Sequence, residues 1–173
     1  MPPRARRRLW KRLGIPADYA RARHMPLQRV ARSLVSAGPA ADDGKPVRLT
    51  PRAAAAWRRM RAAAAADGVN LLPLSGYRSV ARQARIIRQK LRAGQAIADI
   101  LRLVAAPGCS EHHTGRAIDI GSPDNQQLDE DFAKTAEFRW LRKHAARFGF
   151  RLSYPRGNRH LIGYEPWHWC WRA

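Results

Sequence analysis

The chain has 173 residues, with 33 Lys and Arg against 13 Asp and Glu, a formal charge of +20. That length suits one domain with a real core, and 45% hydrophobic residues with six Trp argue against disorder. No apolar run approaches the roughly 18 residues of a membrane helix, and two cysteines exclude a cysteine-rich zinc finger or a disulfide-dense scaffold. Of the cations, 28 are Arg and five are Lys. Three readings compete for this charge: nucleic-acid binding, attraction to an anionic envelope polymer, and the Arg, Ala and Pro bias of a GC-rich genome. Net charge bears on solubility and association and not on fold.

In chain order, residues 1–30 read as a basic, loosely ordered arm, and residues 37–46 (AGPAADDGKP) as a turn-rich connection. Thr50-Pro51 has the form of a helix N-cap followed by proline at N1, so a helix is expected through Ala53–Ala66, ending near Gly68. Val69–Leu74 reads as a buried strand. Ser75–Ser79 is a loop whose Ser79 can cap a helix carrying Val80, Ala84, Ile87 and Leu91 on one face, stopped by Gly94. A short helix over roughly 95–104 precedes the turn Pro107-Gly108. Arg116–Ile120 alternates as a strand, and Thr135–Phe148 is an amphipathic helix closed by Gly149. Phe150–Tyr154 and His160–Trp169 read as two strands around the turn at 155–158. Helices and short strands mix without βαβ alternation, so the class expected is α+β.

Four segments hold the residues able to do chemistry: SGYRS at 75–79, SEHHTGRAIDI at 110–120, SYP at 153–155 and EPWHW at 165–169. A catalytic zinc takes three protein ligands and a water, and His112, Asp119 and His168 are the candidate donors. On a strand, Asp119 shares a face with Ala117, while Ile118 and Ile120 face the other way. A buried carboxylate needs a cation or several donors, and a metal would satisfy it. Glu165 stands three residues before His168, so on a straight strand the two would point apart. Pro166 between them permits an irregular start that brings both to one cavity.

Ser75-Gly-Tyr-Arg78-Ser with Gln83, then Ser110-x-His112-x-x-Gly115-x-Ala117-x-Asp119, then Glu165-Pro-Trp-His168-Trp, resembles the D-alanyl-D-alanine carboxypeptidase family of zinc peptidases. The VanY-type carboxypeptidases are nearest in pattern. The wider group holds VanX-type dipeptidases, some phage endolysins and the Hedgehog signalling domain. The likeness covers roughly residues 45–173. It implies a small, mainly antiparallel sheet carrying the zinc site, flanked by helices, with residues 31–173 forming a single zinc D,D-peptidase domain after the arm. It implies zinc on His112, Asp119 and His168, Glu165 as the catalytic base and Arg78 polarising the scissile carbonyl. Gln83, Ser110 and Tyr154 fall at substrate-contact positions, and Ser153 is a further candidate for the substrate carboxylate.

The expected activity is removal of the terminal D-Ala from a peptidoglycan peptide ending in D-Ala-D-Ala. A D-Ala-D-Ala dipeptidase or a peptidoglycan endopeptidase would use the same metal set. From another class, a non-catalytic zinc-containing binding module is opposed by the presence of Glu165. No specific nucleic-acid partner is expected, because the arginines scatter along helix faces. An anionic wall or membrane surface is a candidate partner, and the chain is expected to be a monomer. Met1–Arg12 has the charge of a signal-peptide start, but no apolar stretch follows it. No export signal is therefore read, and the chain as encoded is expected to be cytoplasmic, although the substrate class points to the envelope. His113 is expected not to be a ligand. If His112 and His168 share one zinc, Cys109 and Cys170 lie in one neighbourhood, and two readings stay open: a disulfide between them, or two buried free thiols, the commoner fate.

Overall fold

A computed structural model describes residues 1–172. Its first element is a helix, α1 (Pro3–Arg12), with proline at the start where no intrahelical N–H bond is lost. A single turn, α2 (Tyr19–Ala22), follows. The loosely ordered arm expected of residues 1–30 is therefore corrected. Trp10, Leu13, Ile15, Tyr19 and Met25 are buried in one apolar cluster with Ala84, Ile87, Ile100 and Leu101. The Trp10 indole donates to the Pro107 carbonyl at 2.9 Å, and the Gln28 N–H to the Gly108 carbonyl at 2.8 Å. The few apolar side chains among the arginines lie on one face, and burying them outweighs the tendency of the charge to stay solvated.

The turn-rich connection is the tip of a hairpin between β1 (Val35–Pro39) and β2 (Pro46–Leu49). Next comes α3 (Pro51–Ala66), entered at Thr50 as expected, although the Thr50 hydroxyl makes no capping bond. The chain continues through β3 (Leu72–Ser75), α4 (Val80–Arg92) and α5 (Ile97–Leu103). Ser79 caps α4 by accepting from the Arg82 N–H at 3.1 Å. A 3-10 turn, Glu111–Thr114, leads into β4 (Ala117–Gly121). The next helix, α6 (Ala136–His144), is capped by the Thr135 hydroxyl at 3.1 Å and ends in a 3-10 turn before Gly149. The last strands are β5 (Phe150–Leu152) and β6 (His168–Trp171).

The strand expected over His160–Trp169 is thus confined to its last residues and displaced toward the C-terminus. Pro166 has no N–H to give a ladder, and the Asn158 amide ties the preceding loop by donating to the Pro155 and Ile162 carbonyls.

The four-stranded sheet has the order β3-β4-β6-β5, antiparallel throughout. Ile118, Ile120, Phe150 and Trp169 from it share a core with Trp57 and Met60 of α3 and Leu141 of α6. The second core, beneath α1, α4 and α5, includes Tyr154 and Ile162. Between these two cores lie Asp119 and His168, directly opposite one another in the β4–β6 register.

Candidate metal centre and active site

Each donor is placed by a different local device. Asp119 sits at the middle of β4, and its cross-strand partner His168 opens β6. His112 comes from the 3-10 turn, which Gly115 ends at φ 63°. A Cβ at Gly115 would stand 2.8 Å from Leu34 Cδ2, so this return into β4 needs glycine both for conformation and for space. One donor atom from each of His112, Asp119 and His168 lies within 4.8 Å of the others, and all three residues are buried. His112 Nε2 is 3.2 Å from Asp119 Oδ2, and His168 Nδ1 is 3.1 Å from Asp119 Oδ1. The other nitrogen of His112, Nδ1, donates to the Gly76 carbonyl at 2.6 Å, which leaves Nε2 free to bind a metal.

Glu165 lies in the irregular segment before β6, so the strand alternation that would have separated it from His168 does not apply. The His168 N–H donates to the Glu165 carbonyl at 3.1 Å, and His168 Nδ1 is 3.8 Å from Glu165 Oε2. Arg78 follows β3. Its N–H donates to the His112 carbonyl at 3.1 Å and its guanidinium to Gln83 Oε1 at 3.1 Å, with Asp119 Oδ2 3.7 Å away. Arg78 Nε is buried and has no partner in the protein. All these side chains face a cavity of roughly 300 Å³ that Ser110 and Tyr154 also line.

The electrostatics suit a divalent cation. Burial would raise the Asp119 pKa, but His112 and His168 beside it hold this carboxyl well below its usual range. Burial pushes His112 down. For His168 burial also acts downward, yet hydrogen bonds to Asp119 and Glu111 outweigh it and hold the ring up at about 10. For Glu165 burial acts upward and outweighs the pull of His168 and Arg78, raising it to about 7. A buried site with two imidazoles and clustered carboxylates has acceptors in excess, and a cation neutralises them. Nitrogen and oxygen donors in this number are what zinc takes.

The remaining expected residues sort by their partners. Gln83 faces the cavity, but both ends of its amide are engaged, one by Arg78 and the other with the Ala105 carbonyl at 2.7 Å. Ser153, expected as a substrate contact, donates its hydroxyl to Glu111 Oε2 at 2.5 Å. His113 is no ligand: its Nδ1 donates to the Arg78 carbonyl at 2.6 Å and its Nε2 accepts from the Gly108 N–H at 3.0 Å. Cys109 and Cys170 are both free, so of the two readings the disulfide is set aside and the buried free thiols stand. Each is buried, Cys109 in the second core and Cys170 within β6. Glu111 was missed altogether. Its only signal was adjacency to His112, and glutamate in a loop is ordinarily solvated.

Residues 46–173 match the VanY family, described as D-alanyl-D-alanine carboxypeptidase. YodJ of Bacillus subtilis (strain 168) is 40% identical over 124 residues, 69% of this chain and 45% of that protein, so the chain spans less than half of that relative. The bifunctional D-Ala-D-Ala dipeptidase and D-Ala-D-Ala carboxypeptidase VanXYC of Enterococcus gallinarum is 34% identical over 128 residues, 70% of this chain and 66% of that one. Among solved structures, the LdcB LD-carboxypeptidase superposes with a TM-score of 0.74 at 33% identity, covering 84% of this chain and 71% of that chain. A vancomycin-resistance VanY D,D-pentapeptidase in complex with Zn(II) gives 0.63 at 27% identity, covering 85% and 82%. With its donor set, its buried glutamate and the match over residues 46–173, this chain belongs to the VanY family of D-alanyl-D-alanine carboxypeptidases.

Proposed function

We propose that this domain is a zinc-dependent D-alanyl-D-alanine carboxypeptidase that hydrolyses the terminal D-Ala of peptidoglycan precursors or stem peptides. The observation that carries this function is Glu165, a buried carboxylate 3.8 Å from His168 Nδ1 whose pKa burial moves up to about 7. A base poised near neutrality can both take and return a proton. Zinc, held by His112 Nε2, an Asp119 oxygen and His168 Nδ1, would supply Lewis acidity and an acidified water.

Glu165 takes the proton of the attacking water and delivers it to the nitrogen of the departing D-Ala. Arg78, fixed by Gln83 and facing Asp119, holds its guanidinium on the cavity wall as a donor for the carbonyl oxygen as charge develops there. Gln83 acts through Arg78. Ser110 and Tyr154, on the cavity wall, are the groups placed to meet the substrate's terminal carboxylate.

A second substrate is favoured by one observation: the LdcB LD-carboxypeptidase superposes with a higher TM-score than the VanY D,D-pentapeptidase, 0.74 against 0.63. The activity this favours is that of an LD-carboxypeptidase, for which a tetrapeptide ending in a single D-Ala is the probe. Product analysis separates the possibilities. The zinc-loaded protein is offered a pentapeptide ending in D-Ala-D-Ala, a tetrapeptide ending in D-Ala, the free dipeptide and cross-linked wall. Free D-Ala from the pentapeptide, abolished by a chelator, is the expected result. Turnover of only the tetrapeptide, only the dipeptide or only cross-links would replace this assignment with the corresponding activity.

A further inference from the structure

Glu111 has no part in the chemistry above, yet it is buried at the site's edge. It opens the 3-10 turn that carries His112. Its Oε2 lies 3.1 Å from His168 Nε2 and accepts the Ser153 hydroxyl at 2.5 Å. Its Oε1 accepts from the Arg172 guanidinium at 2.7 Å. One carboxylate thus joins the His112 turn, the segment after β5, the start of β6 and the residue after β6.

We infer that Glu111 is a positioning residue that fixes the tautomer and ring orientation of His168 and so sets the zinc affinity of the site. This rests on the zinc-dependent function proposed above. An imidazole binds a metal through the nitrogen that carries no proton, and which nitrogen that is depends on the bond made by the other. An ionised carboxylate only accepts, and both ring nitrogens face one at 3.1 Å, Nε2 that of Glu111 and Nδ1 that of Asp119. A metal shared with Asp119 would take the place of the proton on Nδ1, while Glu111, outside the donor set, keeps the proton on Nε2 and leaves Nδ1 as the ligand atom.

His112 meets the same requirement differently, by donating Nδ1–H to a neutral backbone carbonyl, that of Gly76. The two ligand histidines therefore have unlike outer acceptors, and the charged one makes His168 the more basic donor. Ser153 and Arg172 hold Glu111 in turn. The Ser153 hydroxyl orients Oε2, the oxygen that meets His168, while Arg172 occupies Oε1. Ser153 thus acts on His168 through two successive hydrogen bonds.

The test is zinc affinity, measured by competition with a chromophoric chelator on the full chain. Wild type, Glu111→Gln, Glu111→Ala, Ser153→Ala and His112→Ala are compared, each with a melting curve of the metal-free protein. Glu111→Ala is expected to bind zinc 10- to 100-fold more weakly than wild type. Glu111→Gln, which keeps an acceptor but no charge, should fall between the two, and Ser153→Ala should weaken binding by a smaller factor in the same direction. In the zinc-loaded wild type, proton NMR should show a hydrogen-bonded Nε2–H on His168 that is lost in Glu111→Ala.

Wild-type zinc affinity in both Glu111 variants, with His112→Ala unable to bind, overturns the inference and leaves the zinc assignment standing. A wild type that takes up no zinc removes both. If Glu111→Ala fails to fold, Glu111→Gln and Ser153→Ala decide: wild-type affinity in both is the overturning result.

Discussion

The proposed mechanism leans most on Arg78 and Glu165, and each makes a separate prediction. Arg78→Lys keeps a positive charge but loses the planar fork held by Gln83 at one nitrogen and left open at another. Removing such a donor costs about 10²- to 10³-fold in turnover, so kcat should fall by that order while zinc content stays unchanged. Glu165 makes a prediction about stability. Its ordinary value of 4.5 rises to about 7 in the metal-free fold. Between those two values the folded state holds a proton that the unfolded chain has released, so stability declines as pH rises through that window. The loss amounts to about 3 kcal/mol once both states are ionised. Glu165→Gln cannot ionise and escapes it. The metal-free variant should melt at a higher temperature than wild type at pH 8, and the gap should close toward pH 4. A gap independent of pH would remove burial as the cause.

Local signals in the sequence account for most elements, and the failures have physical causes. Ser79, Thr135, Gly94 and Gly149 mark helix ends through local hydrogen bonds and backbone freedom, so α4 and α6 were legible within a few residues. The β1–β2 hairpin was not legible, because Ala, Gly and Pro at its ends carry turn propensity and the pairing comes from across the tip. The N-terminal helix was hidden for the opposite reason. Its arginines dominate the composition, whereas Trp10 alone carries much of its docking. Trp10→Ala should therefore destabilise the protein by about 3–5 kcal/mol, the usual cost of emptying a buried aromatic site, read as a lowered denaturation midpoint. Gly76 ties elements together at the site: a Cβ there would stand 2.6 Å from the Arg48 carbonyl, and its own carbonyl holds His112. Gly76→Ala should push β2 and the loop after β3 apart, lowering zinc affinity as well as stability. Zinc titration beside a melting curve checks both.

At the scale of the molecule, the +20 charge and the site have separated. Seven of the 13 acidic residues lie between Glu111 and Glu137, including two that touch His168. Most exposed cations lie elsewhere, with Arg4, Arg7, Arg8, Lys11 and Arg12 all on the outer side of α1. Five of the six tryptophans are buried, so the basic surface lacks the stacking platform that a binder of single-stranded nucleic acid presents. Among the described residues no helix is long and apolar enough to cross a membrane. Two readings of this charge remain, the Arg bias of a GC-rich genome and attraction to an anionic wall polymer, and only the second predicts binding to purified wall. It should weaken steeply between low and physiological salt, because such exposed charges are screened beyond about 8–10 Å; a pull-down on purified wall at several ionic strengths measures it.

The donor triad was visible in the sequence as an ordered set of motifs, but its reach depends on long-range pairing. Asp119 meets His168 because β4 and β6 are registered across 49 residues, and Glu165 joins them because Pro166 delays the strand. Glu111 was invisible because nothing local distinguishes a glutamate that will be buried against a ligand from one that stays in water.

In the function proposed above, a zinc held by His112, Asp119 and His168 and a proton moved by Glu165 together release D-Ala. Measured on wild type and Glu165→Ala brought to the same zinc content, D-Ala release from a D-Ala-D-Ala-ended pentapeptide tests it most directly. The wild type should turn over, and the variant should be slower by about 10²- to 10⁴-fold with its zinc retained. Equal rates in the two proteins, or no release by the zinc-loaded wild type, would contradict it.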